Sequence, residues 1–257
     1  MQTDLPVTVG WISDGSDANA ARTGAGYAGQ IVSTFSNEIT GRTPNILIGS
    51  RLLYNPEAES VNFMVPGIAA ILLTMLTLMM TAMAIVRERE MGTLEQVLVT
   101  PISTVSLMLG KISAFTVISL VVMGMTLTLG VLWFKVPFVG SAPLLVALSL
   151  LYLLTTLGLG MFISTITQTQ QESMFLAWFF SIFAILTSGY FTPIANMPDW
   201  MQSVTLVNPM RYYIEIVRGI MMKGATAADL LRDIIPLAIF GVVIFGFSAL
   251  RFHKRTA

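Results

Sequence analysis

The residues best able to make strong, directed contacts lie together in Arg87-Glu88-Arg89-Glu90-Met91-Gly92-Thr93-Leu94-Glu95-Gln96, between two apolar runs, 63–86 and 112–134, that carry no formal charge. Alternating guanidinium and carboxylate groups form ion pairs and charge-assisted hydrogen bonds, a chemistry of docking and holding rather than of bond making. Covalent chemistry finds little support elsewhere. Cysteine is absent, which removes disulfides, thiolate metal sites and thiol nucleophiles. The only histidine is His253, near the carboxyl end. Gly110-Lys111 is followed by Ile112 and lacks the upstream glycine of a phosphate-cradling loop, so ATP binding by the chain itself is not expected. The central apolar spans hold no Asp, Glu, Lys or Arg, which argues against intramembrane proteolysis and weakens a proton-coupled carrier. The chain is therefore read as no enzyme, with no metal and no cofactor of its own. Its 17 methionines read as adaptable packing, since no cysteine or histidine cluster accompanies them.

Placed on a helix at 100° per residue, Met91, Leu94, Val97 and Leu98 share one arc, while Glu88, Arg89, Glu95 and Gln96 occupy the other. Pro101 ends that element. An amphipathic helix of this kind either lies on lipid or offers its apolar arc to the groove of a soluble partner, with Glu88 and Glu95 meeting basic groups; periodicity alone leaves both open.

Two further sets carry polar groups at suggestive spacing. In 192–229, Pro193, Pro198 and Pro209 forbid a straight span. After Pro209, Met210, Tyr213, Ile214, Val217 and Met221 recur at helical spacing opposite a charged stripe of Arg211, Glu215 and Arg218, which predicts an interfacial or re-entrant helix. Trp200, Tyr212 and Tyr213 suit the headgroup level, as plain anchors or as parts of an exit gate together with Tyr190 and Pro193. Thr74, Thr77 and Thr81 share one helix face; bonding to their own backbone is the first reading, and lining of a pathway the second.

The elements that must position these residues follow from composition. With 54% hydrophobic and 11% charged residues, and a mean hydropathy of +0.76, the chain is read as mainly α, a polytopic helical membrane protein. Five spans are predicted at 64–86, 110–134, 143–166, 173–191 and 230–251, each near the roughly 20 residues that cross a ~30 Å hydrocarbon core. Pro66, Pro143 and Pro236 fall near their beginnings, where a missing N–H costs little. Residues 1–62 are punctuated by Pro, Gly, Asn and Asp and read as a small α/β segment: a strand at 5–12, a turn at 14–17, a helix at 18–39 and a strand at 45–54. The rest, 63–257, forms the transmembrane domain, with a polar loop at 87–109 and the interfacial region at 192–229.

Positive charge abutting the spans, Arg87 and Arg89 together with Arg251, Lys254 and Arg255, places that loop and the carboxyl terminus in the cytoplasm and the acidic amino-terminal segment outside. A polar segment of that length needs something to start its translocation, so a further apolar helix upstream is predicted. Fourteen basic and fourteen acidic residues cancel, and no nucleic-acid partner is expected.

The string Ile85-Val86-Arg87-Glu88-Arg89-Glu90-Met91-Gly92-Thr93-Leu94-Glu95-Gln96-Val97-Leu98-Val99-Thr100-Pro101 resembles the signature between the second and third helices of ABC-2-type permeases, the membrane subunits of certain ATP-binding-cassette exporters. The resemblance continues through Asn62-Phe63-Met64-Val65-Pro66-Gly67, Gly189-Tyr190-Phe191-Thr192-Pro193-Ile194 and Asn208-Pro209-Met210-Arg211-Tyr212-Tyr213, and covers most of the chain. It implies a coupling helix that contacts an ATPase, assigning Arg87, Glu88, Arg89, Glu90, Met91, Leu94, Glu95 and Leu98 to docking. It also implies re-entrant extracytoplasmic helices before the last span, which favours the gate role for the 190–218 set. The first of the family's six helices has no counterpart here.

As partners, the resemblance implies cytoplasmic ATPase subunits that hold ATP and magnesium, and a second permease chain, identical or related, in a bacterial inner membrane. Few polar groups in the spans point to hydrophobic or amphipathic cargo, drug-like by resemblance. The alternatives are export of a lipid or glycolipid by the same architecture, and a non-transporting scaffold that recruits a cytoplasmic protein.

Overall fold

The structure, a computed structural model, describes residues 18–40, 60–92 and 104–256, and the chain divides into two units, Met1–Phe63 and Met64–Ala257. In the first unit, α1 (Ala18–Thr40) forms where the sequence predicts a helix. The predicted strands at 5–12 and 45–54 and the turn at 14–17 lie outside the described residues, among which there is no strand. Tyr27, Ile31 and Phe35, four apart, share an exposed face of α1.

The second unit contains most of α2 (Ser60–Glu90), then α3 (Thr104–Leu132), α4 (Ala142–Ile166), α5 (Gln170–Leu186), a 3-10 turn (Ile194–Asn196), the short α6 (Asp199–Thr205), α7 (Pro209–Lys223) and α8 (Leu231–Thr256). Among the described residues, four helices are long and apolar enough to cross a membrane: α2, α3 from Gly110, α4, and α8 as far as Ser248. These coincide with four of the five predicted spans. The fifth, predicted at 173–191, is instead α5, whose 17 residues reach only the lower limit of a spanning length. It starts earlier because Thr169 and Glu172 form a reciprocal capping box, and it ends earlier because Gly189, at φ +80°, turns the chain away. Pro143 sits in the first turn of α4 behind the Ser141 cap, whereas Pro66 and Pro236 stand further inside, because α2 and α8 begin before their apolar runs do.

The centre of the unit is α4. Of its spanning window 61% is buried, against 17% for α8 and 22% for α3, so α4 is enclosed while most of the other two is exposed. Two glycines set its neighbours. A Cβ on Gly158 would stand 2.9 Å from the backbone of Phe245 in α8, and one on Gly160 would stand 2.7 Å from the Cβ of Thr81 in α2. Small residues on two sides thus admit a backbone on each, the means by which helices pack tightly where lipid removes any hydrophobic drive to associate. Val117, Val121, Met125 and Leu129 of α3, and Ile235, Ile239 and Val242 of α8, form exposed apolar faces suited to acyl chains.

α7 differs from the others. Its predicted apolar stripe is buried, but so are Tyr212, Ile216 and Arg218, and α7 packs against both α4 and α8. It is enclosed on most sides by the other helices.

Candidate functional site

At its carboxyl end α2 presents three consecutive charged residues to three different helices. Glu88 forms an ion pair with Lys111 of α3. The Arg89 guanidinium donates to the carbonyls of Ser164 (3.0 Å) and Thr167 (3.1 Å) at the end of α4. The Glu90 carboxylate accepts from the backbone N–H (3.0 Å) and the side-chain amide (2.6 Å) of Gln170, the first residue of α5. Successive residues on a helix point 100° apart, which is what lets neighbours in sequence reach separate partners.

Each contact also suits its helix end. The last carbonyls of α4 lack partners within their own helix and carry partial negative charge, which a guanidinium satisfies. The first N–H groups of α5 carry the opposite charge and take a carboxylate. Glu172 completes the turn by accepting from the N–H groups of Gln168 (2.9 Å) and Thr169 (3.4 Å).

Gly92, at φ +68°, terminates α2, with the Met91 N–H returning to the Arg87 carbonyl at 3.0 Å. Arg87, Glu88, Arg89 and Glu90 therefore complete α2, whereas the sequence pattern placed Glu88 and Arg89 on one amphipathic helix with Leu94, Glu95 and Leu98. Those last three lie outside the described residues. Met91 is exposed.

The second predicted set gathers around α7. Asn208 caps this helix, its Oδ1 accepting from the Met210 N–H at 2.9 Å, while its amide donates to the Ala184 carbonyl (2.7 Å) and to Thr187 Oγ1 (2.9 Å), so the end of α5 is tied to the start of α7. Pro209 follows at the first helical position, where its ring fits. Arg211 donates to Thr205 Oγ1 (2.5 Å), and Tyr212 to the Leu206 carbonyl (2.9 Å). Pro193 opens the 3-10 turn, Trp200 is exposed as an interfacial anchor would be, and Glu215 is exposed on α7.

Arg218 departs from the charged-stripe expectation, and Tyr213 from the headgroup-level one. Arg218, expected on a wet charged stripe, is only 5% exposed, close to Tyr190 and to Gly67 of α2. Burial pushes the Tyr190 phenol above its usual range, and the Arg218 cation pulls the other way. Tyr213 is fully buried, so its polar tip is not wet; its ring stacks on Tyr152 of α4 with centroids 4.2 Å apart, and its hydroxyl meets Ser149 Oγ at 2.7 Å. Beyond α7, the Asp229 carboxylate accepts from the hydroxyl and the N–H of Thr226, which hold it below the usual carboxylate range.

Between these ends lies the threonine face of α2. Thr74 stands 2.7 Å from both the Ala70 carbonyl and the Tyr152 hydroxyl, and Thr77 stands 2.6 Å from the Leu73 carbonyl and 2.8 Å from Ser119 Oγ. Both thus bond their own backbone and a neighbouring helix. Thr81 packs on Gly160. All three are buried among α2, α3 and α4.

The structure thus brings Glu88, Arg89 and Glu90 together at one end of α2 and Tyr190 and Arg218 at the other, with the threonine face between them. Gly67 and Glu90 are roughly 35 Å apart along the helix at 1.5 Å per residue, enough to put the clusters on opposite sides of a bilayer. Residues outside the predicted site sets complete these contacts: Gln170, Lys111 and the α4 carbonyls at one end, Asn208 at the other, and Tyr152 between them. Two of these features had a local signal, the Thr-x-x-Glu pattern at 169–172 and the Asn-Pro pair at 208–209.

Comparison with known proteins agrees with this architecture. Residues 3–250 match the ABC-2 family transporter protein. The chain is 33% identical over 247 residues to the probable multidrug ABC transporter permease YbhR of Escherichia coli strain K12, covering 95% of this chain and 67% of that protein. It is 31% identical over 263 residues to the inner membrane transport permease YhhJ of the same strain, covering 98% and 68%. It is also 30% identical over 185 residues to the linearmycin resistance permease protein LnrN of Bacillus subtilis strain 168, covering 71% and 48%. It spans about two thirds of the length of the two Escherichia coli relatives. With four span-length helices and this match along nearly its whole length, the chain belongs to the ABC-2 family of transporter membrane proteins.

Proposed function

We propose that the chain is the permease subunit of an inner-membrane exporter that moves hydrophobic or amphipathic, drug-like compounds, driven by ATP hydrolysis in separate cytoplasmic subunits. The observation that carries this reading is the charged end of α2, where one short segment grips three other helices and leads directly into residues 93–103. A push by a partner at that end of α2 has a mechanical route into the bundle. The names of two relatives, a probable multidrug ABC transporter permease and a linearmycin resistance permease protein, support the cargo class. The chain performs no covalent chemistry in this reading. ATP and magnesium belong to the ATPase, and a second permease chain completes the route. The cluster around α7 serves as the outer gate, and Thr74, Thr77 and Thr81 face cargo only if α2 parts from α4.

The test is ATP-dependent uptake of ethidium into inverted membrane vesicles that hold the full-length protein and its ATPase. Uptake is expected with the parental chain and lost with Glu95→Lys, together with ATPase co-purification. Parental vesicles that retain no ATPase and show no ATP-dependent uptake overturn the reading. Transfer of a fluorescent lipid in place of ethidium redirects it to lipid export.

A further inference from the structure

Three adjacent side chains at the end of α2 are engaged inside the subunit, and two of them meet at one place, the turn between α4 and α5. Arg89 caps the last carbonyls of α4, and Glu90 holds both the backbone and the side chain of Gln170 at the start of α5. The turn joining those helices is only three residues long, 167–169, and is itself braced by the Thr169–Glu172 capping box. A rigid turn gripped at both helix ends cannot stay still while the segment holding it moves.

We propose that Arg89, Glu90 and Gln170 form a clamp that makes the α4–α5 turn move as one body with the end of α2. Displacement of the end of α2 is thereby passed to α4 and α5 directly, not only to α3 through Glu88 and Lys111. The proposal rests on the exporter reading above and adds positioning residues to it. It also gives Arg89 and Glu90 a task besides docking, since Arg89 donates to the end of α4 and Glu90 accepts from the start of α5. The consequence reaches the centre of the fold, because α4 lies against α2 and α8 through Gly160 and Gly158 and stacks Tyr152 on Tyr213 of α7. A pull on the α4 end therefore has a packed route to the helix at the opposite cluster.

The experiment uses the absence of cysteine. Spin labels on Met91→Cys and Gln171→Cys, both exposed positions, report the distance between the end of α2 and the start of α5 in the full-length protein in lipid nanodiscs. The parental pair is expected to give one narrow distance that does not change when ATP is added to the complex with the ATPase. Gln170→Glu sets like charges together and broadens the distribution, and the double exchange Glu90→Gln with Gln170→Glu narrows it again. Arg89→Gln, which removes the cap on α4, is the independent second variant and broadens it as well. A width unchanged by both Gln170→Glu and Arg89→Gln overturns the clamp, as does a parental distance that shifts with ATP. If no ATPase binds the parental chain, the exporter reading fails, while the nucleotide-free widths still decide the clamp.

Discussion

Tyr213 shows how a single side chain in this bundle divides its work between packing and hydrogen bonding. Its ring lies nearly parallel to Tyr152, at 7°, and its hydroxyl reaches Ser149 and, at 3.2 Å, Met123 Sδ. Hydrogen bonds between membrane helices contribute about 0.6 kcal/mol on average and reach about 1.7, whereas truncating a buried aromatic ring costs about 3 to 5. Packing should therefore dominate. Tyr213→Phe is expected to lower stability by roughly 1 kcal/mol, within that hydrogen-bond range, and Tyr213→Ala by several times as much, as read from unfolding in mixed micelles. Equal losses would assign the contribution to the hydroxyl. Tyr213 is legible in the sequence as apolar-face by its spacing with Met210 and Val217, but the identity of its partners is not, since Ser149 lies 64 positions away.

At the scale of elements, the close approach of α4 to two neighbours depends on the absence of side chains at Gly158 and Gly160. A valine at Gly158 has to displace backbone in α8, not the tip of a flexible side chain. Overpacking of this kind costs about 1 to 3 kcal/mol. Gly158→Val is therefore expected to reduce the midpoint of thermal loss of monodisperse protein, while Gly124→Val on α3, where nothing lies within 4 Å of the added carbon, leaves it nearly unchanged. If the two variants behave alike, the α4–α8 contact does not limit stability. The length of α5 is decided at this scale too. Hydropathy continues past Leu186, so a pattern based on apolar residues alone runs to 191. The helix nevertheless stops where Asn208, from the segment after α6, takes the Ala184 carbonyl and Thr187, and where Gly189 adopts a positive φ.

For the molecule as a whole, the two polar clusters at the ends of α2 predict a sided protein. Maleimide that cannot cross membranes is expected to label Lys135→Cys in intact cells, since Lys135 is exposed in the connection between α3 and α4, and to reach Met91→Cys only after the cells are opened. The opposite pattern would put the charged end of α2 outside, beyond the reach of any cytosolic ATPase. The placement of four of the five predicted spans, the extent of α1 to within one residue, and the two segments that hold the polar residues were determined by the sequence itself. Span length, helical period and capping residues are local properties, encoded within a few turns of chain. Only the tertiary structure decided that Glu88, Arg89 and Glu90 hold three different helices, that Arg218 and Tyr213 are buried, and that α4 is the enclosed helix. Those outcomes depend on partners as far as 90 positions away in the chain. No local pattern records which distant backbone group will meet a given charge, because that choice is made by the packing of whole helices.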